Sequence, residues 1–558
     1  MARYRGRHAR RGHGGLYAAL VAFVVALIVA GFFLVPGLLP GRNAAARPGV
    51  LDTSPVTTQI DEPSPTIMPG PIPSGSPSSG PALRAGQAAW VVAENLLPGT
   101  RAWQIPAGTA SDIEGYADHV SAQAGDTVHL FVSTDAKRFH VEAYRLGYYG
   151  GLGGRFLWRS AEVPAHVQPD ATVDPVSNMV EAGWSPSLAF SVGADWTQGD
   201  YVLKLVASTG GQDYVPLTVR DDPSHAALVV QSSVATWQAY NRWGGHSLYT
   251  GPEGYGSRAR IVSFDRPYDT GRGAGALIGG NELPVITLVE KLGLDVTYWT
   301  DVDFHEQPGL LVDHHALITL GHDEYWSTAM RDGALAARGR GVNIAFLGAN
   351  AVYRHIRMQP SPLGADREEV DYKSAAEDPM SGTDDAQVTV DWRQPPLDWS
   401  ESQLLGPMYE CNPVHDDMVV VDASNWLFAK SGVHDGDHIS GLVGTEYDRV
   451  MTYAPTPRSL EVLAHSPVQC GGLQSHADMT YYTTSSGAGV FDSATSLWTT
   501  ALGQYCVVSG RCGPRAHVVL RVTVNLLRAF AAGPAGLKHP SVTNLDALGL
   551  TLGHPLDP

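Results

Sequence analysis

The sequence predicts an all-β domain followed by an α/β domain with a parallel sheet, both behind an N-terminal transmembrane helix. Three observations carry this reading. Short runs of alternating polarity separated by glycine turns fill 86–222, and strands and helices alternate at βαβ spacing through much of 223–535. An uncharged, mostly apolar run occupies 16–39. Hydrophobic residues make up 44% of the 558-residue chain, enough apolar surface to bury the cores of several domains. Lys+Arg 38 against Asp+Glu 56 leaves a net charge of −18, which excludes nucleic acid as the main partner because phosphate binding needs clustered cations. No HExxH, P-loop or GxGxxG occurs, so zincin, NTPase and dinucleotide readings have no motif to stand on.

Taken in chain order, 1–15 is a basic tail with Arg3, Arg5, Arg7, Arg10 and Arg11. The run 16–39 is longer than the ~7–15 residues of a signal-peptide core and matches the ~20 a spanning helix needs. A cleaved signal peptide is the competing reading. The basic flank keeps the tail cytoplasmic, so the expected location is the cell membrane, single-pass, with the later domains extracytoplasmic. Residues 40–85 are rich in Pro, Ser and Gly and read as a semi-stiff linker. Outside the cytoplasm, Cys411, Cys470, Cys506 and Cys512 can form two disulfides, with Cys506–Cys512 the first pairing expected.

Within 86–222 the segments 127–133 (TVHLFVS) and 201–206 (YVLKLV) alternate as strands of a β-sandwich, with Tyr201 as a structural corner tyrosine. The stretch RLGYYGG at 145–151 is either a bulged turn or a surface facing the next domain. In 223–535, strands are expected at 227–231, 295–299, 316–320 and 342–347, with helices at 283–292, 328–338 and 518–531. Residues 536–558 form a C-terminal tail.

Ligands of open parallel sheets bind outside the carboxyl ends of the strands. Four such ends here carry polar and aromatic clusters: Thr236 to Gly245, Asp301 and Asp303, Gly321 to Ser327, and Gly348 to Asn350 followed by Tyr353, Arg354 and Arg357. His322 and Glu324 suit acid–base or metal chemistry, whereas Asp323 and Ser327 have capping roles open to them. Tyr240 is either aromatic bulk beside Trp237 and Trp243 or a hard phenolate donor for iron. Asp265–Arg266, near Tyr268, reads equally as site or surface ion pair. Lys373 and Glu446 read as surface charge on spacing alone.

These same segments carry a resemblance. TWQAYNRWGGHSLY (236–249), SFDRPY (263–268), GHDEYWS (321–327), GANAVYRHIR (348–357), YKS (372–374), GLVGTEYDR (441–449) and SGAGVFDSATSLW (486–498) resemble the C-terminal domain of the N,N-dimethylformamidase large (beta) subunit-like family. The resemblance implies a three-layer parallel sheet of the class I glutamine-amidotransferase type and hydrolysis of a C–N bond in a small amide by a metal-activated water. It also implies mononuclear iron held by two tyrosines and a glutamate. Glu324 matches the carboxylate and Tyr240 one tyrosine; for the second, Tyr268 is the choice, with Tyr201 and Tyr249 as alternatives. His322, Asn350, Lys373 and Glu446 match the polar residues round the iron, with His322 or Glu446 moving protons and Asn350 orienting substrate. A small partner subunit or a homo-oligomer is implied as well. Two other readings compete: a non-catalytic envelope protein binding a polar or carbohydrate ligand in the same pocket, and a sugar hydrolase using Asp301, Asp303 and Glu324.

Overall fold

The computed structural model describes residues 83–558 apart from Ala85. The tail, the anchor at 16–39 and almost all of the linker lie outside the described residues. Among those described, no helix is long and apolar enough to cross a membrane. The expectation of a single-pass membrane protein with extracytoplasmic domains is therefore corrected: no described element supports it. The fold class is corrected too, because the described residues are built mostly from β-structure, in seven sheets.

The sandwich pairs a three-stranded sheet (Ile113–Ala117, Thr127–Thr134, Leu188–Ser191) with a larger one whose main strands are Arg138–Leu146, Gly154–Arg159, Gly199–Ala207 and Gln212–Val219. Alternate residues such as Leu130, Val132, Val141, Leu203 and Leu205 fill the space between them, as the period of two requires. Tyr201 is fully buried and donates its hydroxyl to the Thr197 carbonyl at 2.6 Å, so it is a corner tyrosine.

The central sheet has seven strands, in the order Val296–Thr300, Leu228–Ser232, Ala316–Leu320, Asn343–Leu347, Gly489–Asp492, Leu473–Thr483, Glu461–Cys470. The first five are parallel, Leu473–Thr483 runs against them and Glu461–Cys470 runs with them again, so the sheet is mixed where a wholly parallel one was expected. Its parallel strands read as unbroken apolar runs because both faces are covered. Leu228, Val230 and Ile318 face the core under helices Leu283–Leu292 and Pro514–Ala531, while Val229, Leu317 and Phe346 face the core under helix Thr328–Arg338. Gly293, left-handed at φ 72°, ends the first helix, and the Ser327 hydroxyl caps the third by accepting the Met330 N–H.

Sandwich and sheet share one core in which Tyr144, Leu146 and Val202 pack with Leu228, Val230 and Ile286. The RLGYYGG segment is both a tight turn and the facing surface. Arg145, wholly buried, pairs with buried Glu290 of helix Leu283–Leu292. A Cβ on Gly147 would stand 2.2 Å from the Glu290 carboxylate, so only glycine permits that approach. Two disulfides, Cys411–Cys470 and Cys506–Cys512, account for all four cysteines.

Candidate functional site

The strand order reverses beside Leu228–Ser232: the next strand in sequence pairs on one side of it and the third, Ala316–Leu320, on the other. The carboxyl ends of strands at such a reversal are where ligands of open sheets bind. Helix Val234–Tyr240 leaves the first strand and delivers Tyr240; Gly321-His322-Asp323-Glu324 leaves the other. Gly321 and Gly348 touch backbone to backbone, since a Cβ on Gly348 would sit 1.5 Å from the Gly321 carbonyl oxygen. That contact brings Asn350, itself left-handed at φ 58°, against His322. The Glu324 N–H donates to the Thr236 hydroxyl, and its carbonyl accepts from the Tyr353 and Arg354 N–H groups, which fixes the backbone under the carboxylate.

The Glu324 carboxylate is 1% exposed and accepts two phenols, Tyr240 on Oε2 and Tyr249 on Oε1, each at 2.8 Å. The two phenolic oxygens are themselves 3.0 Å apart. Tyr325 donates to Tyr249 at 2.7 Å, and Lys373 donates to Tyr325 at 2.7 Å and pairs with Asp371. On the open side, His322 Nε2 lies 3.4 Å from Glu324 Oε2 and 3.0 Å from Glu446 Oε2, and Asn412 donates to the other Glu446 oxygen. Arg354 reaches within 3.6 Å of Glu324 while paired with Asp391.

Burial pushes Tyr240, Tyr249 and Tyr325 well above the usual phenol range, and the Glu324 carboxylate adds to it. Burial opposes protonation of His322, but the Glu446 and Glu324 carboxylates outweigh it and hold the ring up at about 9. Burial, then the neighbouring Arg354 charge, brings Lys373 down to about 8.

Of the residues expected at the site, Tyr240, Glu324, His322, Asn350, Glu446 and Lys373 converge here. Tyr268 does not: it packs edge-on to Trp237, 6.4 Å between ring centres, and lines a narrow cavity toward the sandwich with Asp200 and Arg367. Tyr249 takes the place beside Tyr240. Asp301 and Asp303 serve the scaffold, Asp301 accepting from Gln231 and the Ala235 N–H, and Asp303 capping the helix that follows Thr300. Asp323 accepts from Trp326 and Gln231 beneath the site. Asp265 pairs with Arg367, and Arg266 donates to the carbonyls of Asn241, Trp243 and His246, so the two neighbours do not pair with each other. Tyr325, Arg354 and Asn412 were not singled out for roles; Tyr325 and Arg354 lie inside the motifs quoted above, but their inward direction depends on the fold.

His355 anchors the strand carrying Arg354. Its ring is buried between the Val388 carbonyl (2.8 Å) and the Thr328 hydroxyl (2.9 Å), and burial brings its pKa down from the ordinary 6.5 to about 4. The unfolded chain therefore takes up a proton that the folded one refuses. Its contribution is full above pH ~6.5 and is lost as pH falls toward ~4, by about 3 kcal/mol in all. Stability measured against pH is expected to show that slope, flattened in His355→Gln.

The fold and the site define a β-sandwich joined through a shared core to a mixed sheet, with a tyrosine–carboxylate cluster at the sheet's switch point. The chain belongs to the family described as N,N-dimethylformamidase beta subunit-like, C-terminal, whose profile matches residues 140–510. No curated protein matches it. Among solved structures, an uncharacterized protein from Bacillus anthracis str. Ames is 13% identical over 20% of this chain and 84% of its own, with a TM-score of 0.13. A Paenibacillus sp. cycloisomaltooligosaccharide glucanotransferase is 10% identical over 34% and 28%, with a TM-score of 0.14. Murine CEACAM1b is 12% identical over 21% and 61%, with a TM-score of 0.11. Likenesses this slight bear on neither fold nor function.

Proposed function

We propose that the chain hydrolyses the C–N bond of a small amide, with iron held by Tyr240, Tyr249 and Glu324. The observation that carries this reading is the convergence of two phenols on both oxygens of one buried carboxylate. Among the described residues no group of three or more His, Cys, Asp or Glu is placed to hold a metal ion. The donor set is instead four hard oxygens, two phenols 3.0 Å apart and the two Glu324 oxygens each 2.8 Å from one of them, holding two hydroxyl protons that a trivalent cation would replace. Iron bound there supplies Lewis-acid polarisation of the amide carbonyl and acidification of water. His322, held between two carboxylates, moves protons between water and the leaving amine, and Glu446 sets its charge. Asn350 faces the same space and orients the amide. Lys373 fixes Tyr325 and, through it, the Tyr249 hydroxyl. A partner subunit belongs to this proposal because the family is named for a beta subunit.

The test is metal content, visible spectrum and release of acid from a formamide panel, on the full-length protein. Stoichiometric iron with a tyrosinate band and amide turnover are expected. Tyr249→Phe is expected to remove turnover and to weaken and shift the band, which Tyr240 alone then supplies, while Tyr268→Phe leaves it unchanged. A metal-free protein that binds sugars without turnover would overturn this in favour of a binding role.

A further inference from the structure

We propose that the ligand carries an anionic group, a carboxylate, and that Arg272 anchors it at the mouth of the site. The Arg272 guanidinium lies over the Tyr240 ring, 4.9 Å from its centre. The inner end of the same side chain is the hydroxyl on Glu324, and the His322 ring lies 5.7 Å from the Tyr240 ring. A group held by Arg272 is thus separated from the reacting amide by the width of one tyrosine.

Arg272 is half-buried, and among the described residues no carboxylate pairs with it. Buried Arg266 and Arg331 also lack a carboxylate but donate to backbone carbonyls, whereas the Arg272 guanidinium has neither kind of partner among the described residues; other arginines of the domain are paired with acids. Arg354 pairs with Asp391, Arg357 with Asp378, Arg367 with Asp265 and Arg393 with Glu401. The acid nearest in sequence, Asp269, gives its oxygens to the N–H groups of Arg242 and Gly271.

The loop is built to hold it there. The Arg272 N–H donates to the Asp269 carbonyl, and Gly273, left-handed at φ 55°, rests on the Tyr268 ring, where a Cβ would stand 2.5 Å from Cδ2. Tyr268 thus supports the loop that aims Arg272. A guanidinium with free N–H groups on an aromatic face, in a chain of net charge −18, marks the place where an anion is admitted.

The amide half of this ligand rests on the reading above; the anionic half rests on Arg272. The test is calorimetric binding of N-formylglycine and N-formylglycinamide, which differ in charge and hardly in shape, to the full-length protein. Wild type is expected to bind N-formylglycine about tenfold to a hundredfold tighter, as a charge-assisted contact provides. Arg272→Gln is expected to bring that ratio to about one, and Arg272→Lys to keep part of it. Equal affinities in wild type, binding of neither, or a ratio that survives Arg272→Gln overturns the proposal. Selective binding of N-formylglycine without formate release leaves the anion site standing and overturns the hydrolase. Formate release from both compounds at equal kcat/KM does the reverse.

Discussion

Glu324→Gln is expected to fold, to fail to hold the proposed iron and to lower the proposed amide turnover about a thousandfold or more, the scale on which several kcal/mol of Lewis-acid stabilisation acts. The reason lies in how many groups share one carboxylate. Tyr240 and Tyr249 both donate to it, and His322 and Arg354 lie within 3.4 and 3.6 Å. Glutamine keeps the shape and one acceptor but removes the charge that balances a cation. Glu324→Ala is a harsher change, because it strands two phenolic hydroxyls, each costing about 1–3 kcal/mol if left unpaired. Elemental analysis and formate release on the two variants separate loss of metal from loss of fold. Iron and turnover both kept in Glu324→Gln would end the proposed assignment.

Glu290→Ala is expected to cost about 3–5 kcal/mol, the scale for breaking a buried ion pair from one side. Glu290 accepts from Arg145, from the Tyr298 hydroxyl at 2.8 Å and from Asn95 at 3.2 Å, and both members of the pair are wholly buried. Without Glu290, the Arg145 charge keeps the Gln198 carbonyl and the Tyr149 hydroxyl but no carboxylate in direct contact. Arg145→Met combined with Glu290→Met is expected to recover most of the loss, since no charge is then left buried. Urea denaturation of both variants measures this. A single variant as stable as wild type would show that the shared apolar core alone joins sandwich and sheet.

Much of the scaffold is legible in the chain because period and turn chemistry are local. Helices Leu283–Leu292 and Thr328–Arg338 fall where the pattern put them, and the last helix begins a turn early, at Pro514, whose fixed φ suits a first helical position. The two strands that join the central sheet by antiparallel pairing were less legible. Leu473–Thr483 and Glu461–Cys470 join at an edge, and nothing in their own residues says which sheet they extend.

The site divides in the same way. His322 and Glu324 stand at a strand end that the sequence marks, and Tyr240 at another. Which second tyrosine meets Glu324 was open among Tyr268, Tyr201 and Tyr249, all of them plausible as residue types. The fold sends Tyr201 to a corner of the sandwich, lays Tyr268 beside Trp237 under the Arg272 loop, and returns Tyr249 to the carboxylate. Asp301 and Asp303 look catalytic in sequence because an acid at a strand end is either a site or a cap, and only the bonds to Gln231, Ala235 and Thr300 decide. The sequence by itself determined the elements, the corner tyrosine and the strand ends that bear chemistry, because each is set by neighbours a few residues away. Only the tertiary structure decided which side chains meet, because loops have no period and their directions are fixed by contacts such as Gly321 on Gly348 and Gly273 on Tyr268.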